Sequence, residues 1–462
     1  MRRIRTLLFS LSAVGGTVAI FLVIRHLGGD QEAPEAGALT RLGRPPPVAA
    51  NEVLVHVLLA LVVILVAARL LGILFRWLKQ PPVLGEVIAG ILLGPSLLGR
   101  LAPDVSNILL PPSAAPFLGV IAQVGIILYM FLVGLELDTA LLRKRTRAMI
   151  ATSQASIIVP FLLGSALALW LYPVLSTREV PFTPFALFMG VSMSVTAFPV
   201  LARILTDRGM SRSRLGAIAL ACAAINDATA WCLLALVVGV TQSEPGRIVV
   251  TIALTVGFTL LMLGLVRPAA HWFLRRHEQK PMTPQGTLSV VCIGLLLAAL
   301  ATELIGIHAL FGAFLLGVVV PHNSKLSRDV TAKLEDVVVV LLLPAFFAFT
   351  GLRTQIGLVS GFEQWLICGV IVLVASLGKF GGSALAARFS GMRWRDAASL
   401  GVLMNTRGLM ELIVLNVGLD LGVISPTLFA MLVIMAVVTT LATSPILQAL
   451  VPRAQAAGVR ES

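Results

Sequence analysis

The sequence predicts an all-α polytopic membrane protein. It is expected to have 13 core transmembrane helices in two inverted six-helix repeats, two of the helices broken, and one further apolar segment at the N-terminus. Composition is the first observation behind this reading: the 462 residues are 58% hydrophobic and 12% charged, with a mean hydropathy of +0.97, whereas a soluble domain carries about 25% charged residues. The second is a series of apolar runs near 52–78, 82–98, 115–136, 148–172, 183–206, 213–241, 247–274, 286–304, 308–321, 331–351, 363–389, 396–419 and 427–451, most of about the 20 residues a spanning helix needs. The third is charge. Of 35 Lys and Arg residues, 24 fall at alternate ends of these runs, seven at the opposite ends and four within them. Cytoplasmic loops retain positive charge during insertion, so the first long helix is expected to start outside. A wrong span count would have scrambled this alternation.

A formal charge of +13 can signal nucleic acid, because basic chains bind phosphate non-specifically. That reading needs Lys and Arg on a wettable face, and here they punctuate apolar runs, so no nucleic-acid partner is expected. Cys222, Cys232, Cys292 and Cys368 lie in apolar helix sequence without metal-ligand spacing and read as packing residues. Residues 1–26 begin with Arg2, Arg3 and Arg5 before an apolar run, the pattern of a signal-anchor helix or a signal peptide; no small-x-small cleavage site directly follows, which favours the anchor. Residues 27–51, rich in Pro, Gly and Ala, read as an external linker. Residues 52–451 form one transmembrane domain and 452–462 a cytoplasmic tail, so no C-terminal nucleotide-binding domain is expected.

An internal repeat supports the two-half layout. Ala89 to Gly94 (AGILLG) echoes Gly312 to Gly317 (GAFLLG) at an offset of 223. Gly134-Leu135 with Leu141 echoes Gly351-Leu352 with Leu358 at 217, and Ser194-Val195-Thr196 echoes Met404-Asn405-Thr406 at 210. Six spans from about 52 to 241 then match six from about 286 to 451, and a single connecting span inverts the second half.

Two runs do not suit an uninterrupted helix. Ser194 to Pro199 places a proline at mid-membrane, where it removes a hydrogen bond and disfavours helix at the preceding Phe198. Asn405-Thr406-Arg407-Gly408 places an amide, a hydroxyl, a full charge and a glycine at bilayer depth. One such break is a tolerable kink; two at repeat-related positions point to a cavity whose opposed half-helix ends stabilise charge. Asn226-Asp227, flanked by Ala221 to Ala224 and by Ala228, Ala230 and Trp231, is the strongest feature, because an acid at this depth is expensive and functional by default. A permanently neutralised acid is the bland alternative. A carboxylate that alternately holds a cation and a proton is the better one, with burial and a nearby cation acting on its proton affinity in opposite senses. Asn226 adds a neutral carbonyl ligand. Lys379, well inside its span, is the natural counter-charge and is expected to pair with the empty Asp227 carboxylate and release it when an ion arrives. Arg407 and Glu411, four apart, are expected to bridge along one helical face and brace the second break. Glu86, Glu136 and Glu303 read as interfacial or gating residues and His308 as a packed or pH-modulating histidine. No cofactor is called for, and the few intramembrane polar residues assemble no nucleophile, base and oxyanion set, so an enzyme is not expected. A sodium-coupled symporter of related fold and a potassium channel are the rivals. The first needs a roomy anion pocket and the second a selectivity filter, and neither is evident.

The chain resembles the monovalent cation:proton antiporter-2 family. The likeness covers about 52–451 and rests on Gly85 to Ser96 (GEVIAGILLGPS), Phe131 to Asp138 (FLVGLELD), the Thr196 to Pro199 break, Asn226-Asp227, Lys379, and Asn405 to Leu412 (NTRGLMEL). The resemblance implies exchange of K+ or Na+ for protons, a homodimer in a cell membrane, and two broken helices crossing beside the ion site. Carried over by match, it implies Asp227 as the cation and proton carboxylate, Asn226 as its neighbour, Thr196 as a contributor from the crossing and Lys379 as the counter-charge.

Overall fold

The computed structural model describes residues 16, 18–27, 50–136, 147–208, 210, 213–242, 248–272, 284–321 and 324–450. The expected linker, for the most part, and the C-terminal tail lie outside them. The helices in chain order are α1 (Val18–Leu27), α2 (Ala50–Trp77), α3 (Pro82–Leu93), α4 (Leu98–Leu101), α5 (Pro103–Leu109), α6 (Ala115–Glu136), α7 (Arg147–Leu175), α8 (Phe182–Ser194), α9 (Phe198–Asp207), α10 (Arg214–Gln242), α11 (Ile248–Leu261) and α12 (Pro284–Ile305). They continue with α13 (Ala309–Val319), α14 (Lys325–Val337), α15 (Leu343–Arg353), α16 (Gly361–Ser376), α17 (Gly382–Phe389), α18 (Trp394–Met404), α19 (Leu409–Asp420) and α20 (Pro426–Leu450). A π-turn at Val338–Leu342 joins α14 to α15, and another at Leu377–Gly381 joins α16 to α17. The described residues contain no strand.

Ten helical stretches among the described residues are long and apolar enough to cross a membrane, and they coincide with ten of the expected runs. The other three fall short for a structural reason. Residues 183–206 and 396–419 are the two interrupted runs, split into α8 and α9 and into α18 and α19. The third, α13, has only 11 residues.

The chain divides into two compact units, one of Met1–Leu42, Arg145–Ala230 and Ile356–Ser462, the other of Gly43–Lys144 and Trp231–Gln355. In the second unit two helix crossings are so close that only glycine fits. A Cβ on Gly134 of α6 would strike Phe314 O, with Gly317 Cα at 2.9 Å, and a Cβ on Gly317 of α13 would strike Phe131 O, with Gly134 Cα at 2.8 Å. Likewise α3 meets α15: a Cβ on Gly90 would strike Ala348 O, and one on Gly351 would lie 2.6 Å from Gly90 C. The residues at these crossings come from the motifs the sequence repeat pairs, Ala89 to Gly94 with Gly312 to Gly317 and Gly134 with Gly351. Each half's first motif therefore packs on the other half's second, a reciprocity expected of a folded repeat. The first unit holds both broken helices around an apolar cluster that includes Ala197, Leu201, Leu205, Ala219, Cys222, Leu400, Leu403 and Leu447.

Candidate ion-binding site

The site is built in the first unit where the two breaks meet. Helix α8 stops at Ser194 because Val195 turns extended, at φ −70° and ψ 141°. The chain re-enters helix at Phe198 with Pro199 in the first turn, where a missing N–H costs nothing. Helix α18 stops at Met404, and α19 restarts after Gly408. The breaks hold each other: Ala197 N donates to Thr406 O at 3.0 Å and Thr196 Oγ1 donates to Met404 O at 3.0 Å. A Cβ on Gly408 would lie 2.9 Å from Val200 Cγ2, so the absence of a side chain lets the second break approach α9.

The interrupted helices leave carbonyls without intrahelical partners, a partial negative charge at the C-terminal end of α8. Two fully buried cations cover it. Arg407 donates from Nη1 to Ser192 O and from Nη2 to Met193 O, both at 2.8 Å. Lys379 donates from Nζ to Ser194 O, and to Ser156 O of α7 at 2.8 Å. Arg407 also pairs with Glu411 Oε2 at 3.0 Å, as its i, i+4 spacing predicted, and its own backbone is held by Thr440 of α20, whose Oγ1 accepts from Arg407 N at 3.1 Å and donates to Arg407 O at 2.7 Å.

The opposite, positive end belongs to α9, and the Phe198 N–H at that end and the Lys379 ammonium both act favourably on the Asp227 carboxylate of α10. Asp227 is 2% exposed, and neither of its oxygens has a hydrogen-bond partner. Asn226 donates from Nδ2 to Ser156 Oγ and to Thr196 Oγ1, both at 2.9 Å, leaving its Oδ1 unpartnered. Asn405 Oδ1, Thr406 Oγ1 and Glu411 Oε1 are unpartnered as well.

The structure thus brings Thr196, Asn226, Asp227, Lys379, Asn405, Thr406, Arg407, Gly408 and Glu411 into one unit, while of Pro199 only the backbone is described. One expected contact differs. Lys379 makes no hydrogen bond to Asp227, because its ammonium on the π-turn is held by Ser194 O at the carbonyl end of α8 and by Ser156 O of α7. Glu303 lies in the other unit, where its Oε2 accepts from Ala309 N at 2.8 Å and caps α13 beside His308; Glu86, on α3, belongs to that unit as well. The side chain of Glu136 lies outside the description. Sequence reasoning missed Ser156 and Thr440, although Ser153 with Ser156, and Thr439 with Thr440, Thr443 and Ser444, interrupt otherwise apolar spans.

Residues 58–451 match the family model described as sodium/hydrogen exchanger, transmembrane. The chain is 46% identical over 402 residues to Na(+)/H(+) antiporter NhaS4 of Synechocystis, covering 86% of this chain and 98% of that protein. It is 35% identical over 408 residues to K(+)/H(+) antiporter 1 of Saccharomyces cerevisiae, covering 86% of this chain and 47% of the yeast protein, so it spans about half that relative's length. Its fold resembles the solved structure of the sodium proton antiporter MjNhaP1 from Methanocaldococcus jannaschii, with a TM-score of 0.63 and 16% identity over 89% of this chain and 100% of that one.

Proposed function

The chain belongs to the sodium/hydrogen exchanger family, and from that premise we propose that it is a multi-pass membrane antiporter that exchanges K+ or Na+ for protons at Asp227. The observation that carries the reading is a carboxylate only 2% exposed, with both oxygens unpartnered, beside two helix interruptions. A buried acid in that state needs a proton or a cation. Whichever it holds excludes the other, and this competition couples the two fluxes.

In this reading Asn226 supplies Oδ1 as a neutral ligand, and Thr196 positions it through the 2.9 Å bond to Nδ2. Lys379 and Arg407 offset the partial negative charge at the carbonyl end of α8, and the net charge around the crossing is the same in the proton-loaded and cation-loaded forms because each ion brings one positive charge to the same carboxylate. Lys379 acts on Asp227 as a counter-charge at longer range, while Pro199, Asn405, Thr406, Gly408 and Glu411 maintain the breaks. The site opens to one side at a time. Each net charge moved would feel about 2.3 kcal/mol per 100 mV, and one-for-one exchange feels only the concentration gradients. Residues 52–451 constitute the exchange domain, crossing the membrane thirteen times. Residues 1–26 form an anchor or signal segment, 27–51 an external linker and 452–462 a cytoplasmic tail; the active form is a homodimer, and no enzymatic step is involved. The names of the relatives, which include Na(+)/H(+) and K(+)/H(+) antiporters, support a monovalent-cation substrate.

The test is reconstitution into vesicles loaded with a pH dye, with sodium, potassium and lithium added in turn. Cation-driven proton movement is expected with the natural chain and none with Asp227→Ala; movement that survives the substitution removes the assignment.

A further inference from the structure

Serine and threonine inside apolar helices usually donate to the carbonyl one turn back, and the chain follows this habit at Thr229, Thr350, Ser399, Thr439 and Thr443. Among the described residues, three buried hydroxyls inside helices make no hydrogen bond at all. Thr152 and Ser153 on α7 and Ser383 on α17 are at most 1% exposed, yet none has a hydrogen-bond partner. A buried hydroxyl left unpaired is unfavourable and calls for a ligand.

Their placement shares a direction. Thr152 lies one turn before Ser156, and Ser383 one turn after Lys379, the two residues joined by the 2.8 Å bond from Lys379 Nζ to Ser156 O. Helices α7 and α17 run antiparallel there: a Cβ on Gly378 would meet Pro160, and one on Gly382 would meet Ala155 and Val159. Both hydroxyls therefore stand on the same side of that bond. Cys222 is one turn before Asn226 on α10, and its Sγ approaches Met149 O of α7 at 3.5 Å, so it occupies the same level. This side is the basic end of the unit, where Arg208 donates to Ser444 O and Arg395 to Leu450 O at 2.6 Å.

We propose that Thr152, Ser153 and Ser383 line a narrow water-holding passage inside the first unit, running from its basic end to the node of Ser156, Asn226 and Asp227, along which protons reach and leave Asp227. A buried water needs two to four polar partners, and these hydroxyls with the unpartnered Asn226 Oδ1 and Asp227 oxygens supply them. A proton entering at the basic end moves along the hydrogen-bonded file and binds the carboxylate, and it returns the same way when a cation displaces it. The role as a proton route rests on Asp227 being the exchanging carboxylate; the presence of water does not.

Radiolytic hydroxyl-radical labelling of the unaltered protein in lipid nanodiscs tests the water directly, because radicals born from enclosed water oxidise the nearest side chains. Cys222 and Cys368 are both at most 2% exposed, so burial alone predicts equal protection. Preferential oxidation of Cys222 is the expected result, and equal protection of the two thiols overturns the passage. A second measurement uses Thr152→Val with Ser383→Ala. The expected result is a several-fold slower proton flux at an unchanged half-saturating cation concentration. A raised melting temperature with unchanged flux is the result for dry hydroxyls and overturns the proposal. Proton flux retained in Asp227→Ala would remove the exchange-site assignment while leaving the labelling result standing.

Discussion

Replacing Arg407 with methionine should destabilise the protein more than any other single change at the crossing. The guanidinium is fully buried and holds Ser192 O and Met193 O at 2.8 Å and Glu411 Oε2 at 3.0 Å. Arg407→Met strands the Glu411 carboxylate, which costs about 3–5 kcal/mol for a broken buried pair, and leaves two carbonyls without donors at about 1–3 kcal/mol each. Glu411→Gln is milder, about 1–3 kcal/mol, because the guanidinium keeps both carbonyls and an amide oxygen replaces the carboxylate. Arg407→Met combined with Glu411→Leu removes the stranded charge and leaves the two carbonyls, so the double variant should be more stable than Arg407→Met by roughly 3 kcal/mol. Thermal unfolding of the purified protein in one detergent ranks the set: natural chain, then Glu411→Gln, then the double variant, then Arg407→Met. A double variant less stable than Arg407→Met, or a Glu411→Gln variant as unstable as Arg407→Met, would refute the view that Arg407 joins a carboxylate to a helix end.

Three further outcomes follow from the geometry. Thr196→Val removes the donor to Met404 O and the acceptor for Asn226 Nδ2; it should lower stability by about 1–3 kcal/mol and weaken cation dependence of proton flux, and a variant with unchanged half-saturation would show that Thr196 does not position Asn226. Gly317→Val places side-chain atoms where Phe131 O and Gly134 already sit, and overpacking of this kind costs about 1–3 kcal/mol or more; a melting temperature equal to that of the natural chain would contradict the close crossing. Glu303→Ala removes the acceptor for Ala309 N, so it should cost about 1 kcal/mol, the usual worth of a helix cap, with exchange retained; abolished exchange at normal stability would instead make Glu303 part of the transport path.

Most of the fold was legible in the sequence because lipid imposes length and polarity on every span. Ten apolar runs survive as long helices, and the two breaks were announced by Pro199 and by Asn405 to Gly408. The Arg407–Glu411 pair was legible from its i, i+4 spacing, a local rule. What stayed hidden was non-local. The partners of Lys379 are Ser194 O at the end of α8, 185 positions away in the chain, and Ser156 O of α7, and carbonyls leave no mark in a sequence. Lysine and aspartate in an apolar chain invite pairing by charge alone, yet the broken helix offers the ammonium an acceptor set by backbone geometry. Ser156 and Thr440 escaped notice because a single hydroxyl in an apolar helix normally bonds to its own helix. Here Ser156 accepts from Asn226 and Thr440 secures Arg407.

Competition for Asp227 is most directly measured by proton release from the purified protein in weakly buffered solution as sodium or potassium is added. If one carboxylate serves both ions, the natural chain releases about one proton per protomer, its apparent Kd rises toward tenfold for each unit of falling pH once the carboxylate is mostly protonated, and Asp227→Asn releases none. Cation binding independent of pH, or proton release that persists in Asp227→Asn, would contradict exchange at this residue.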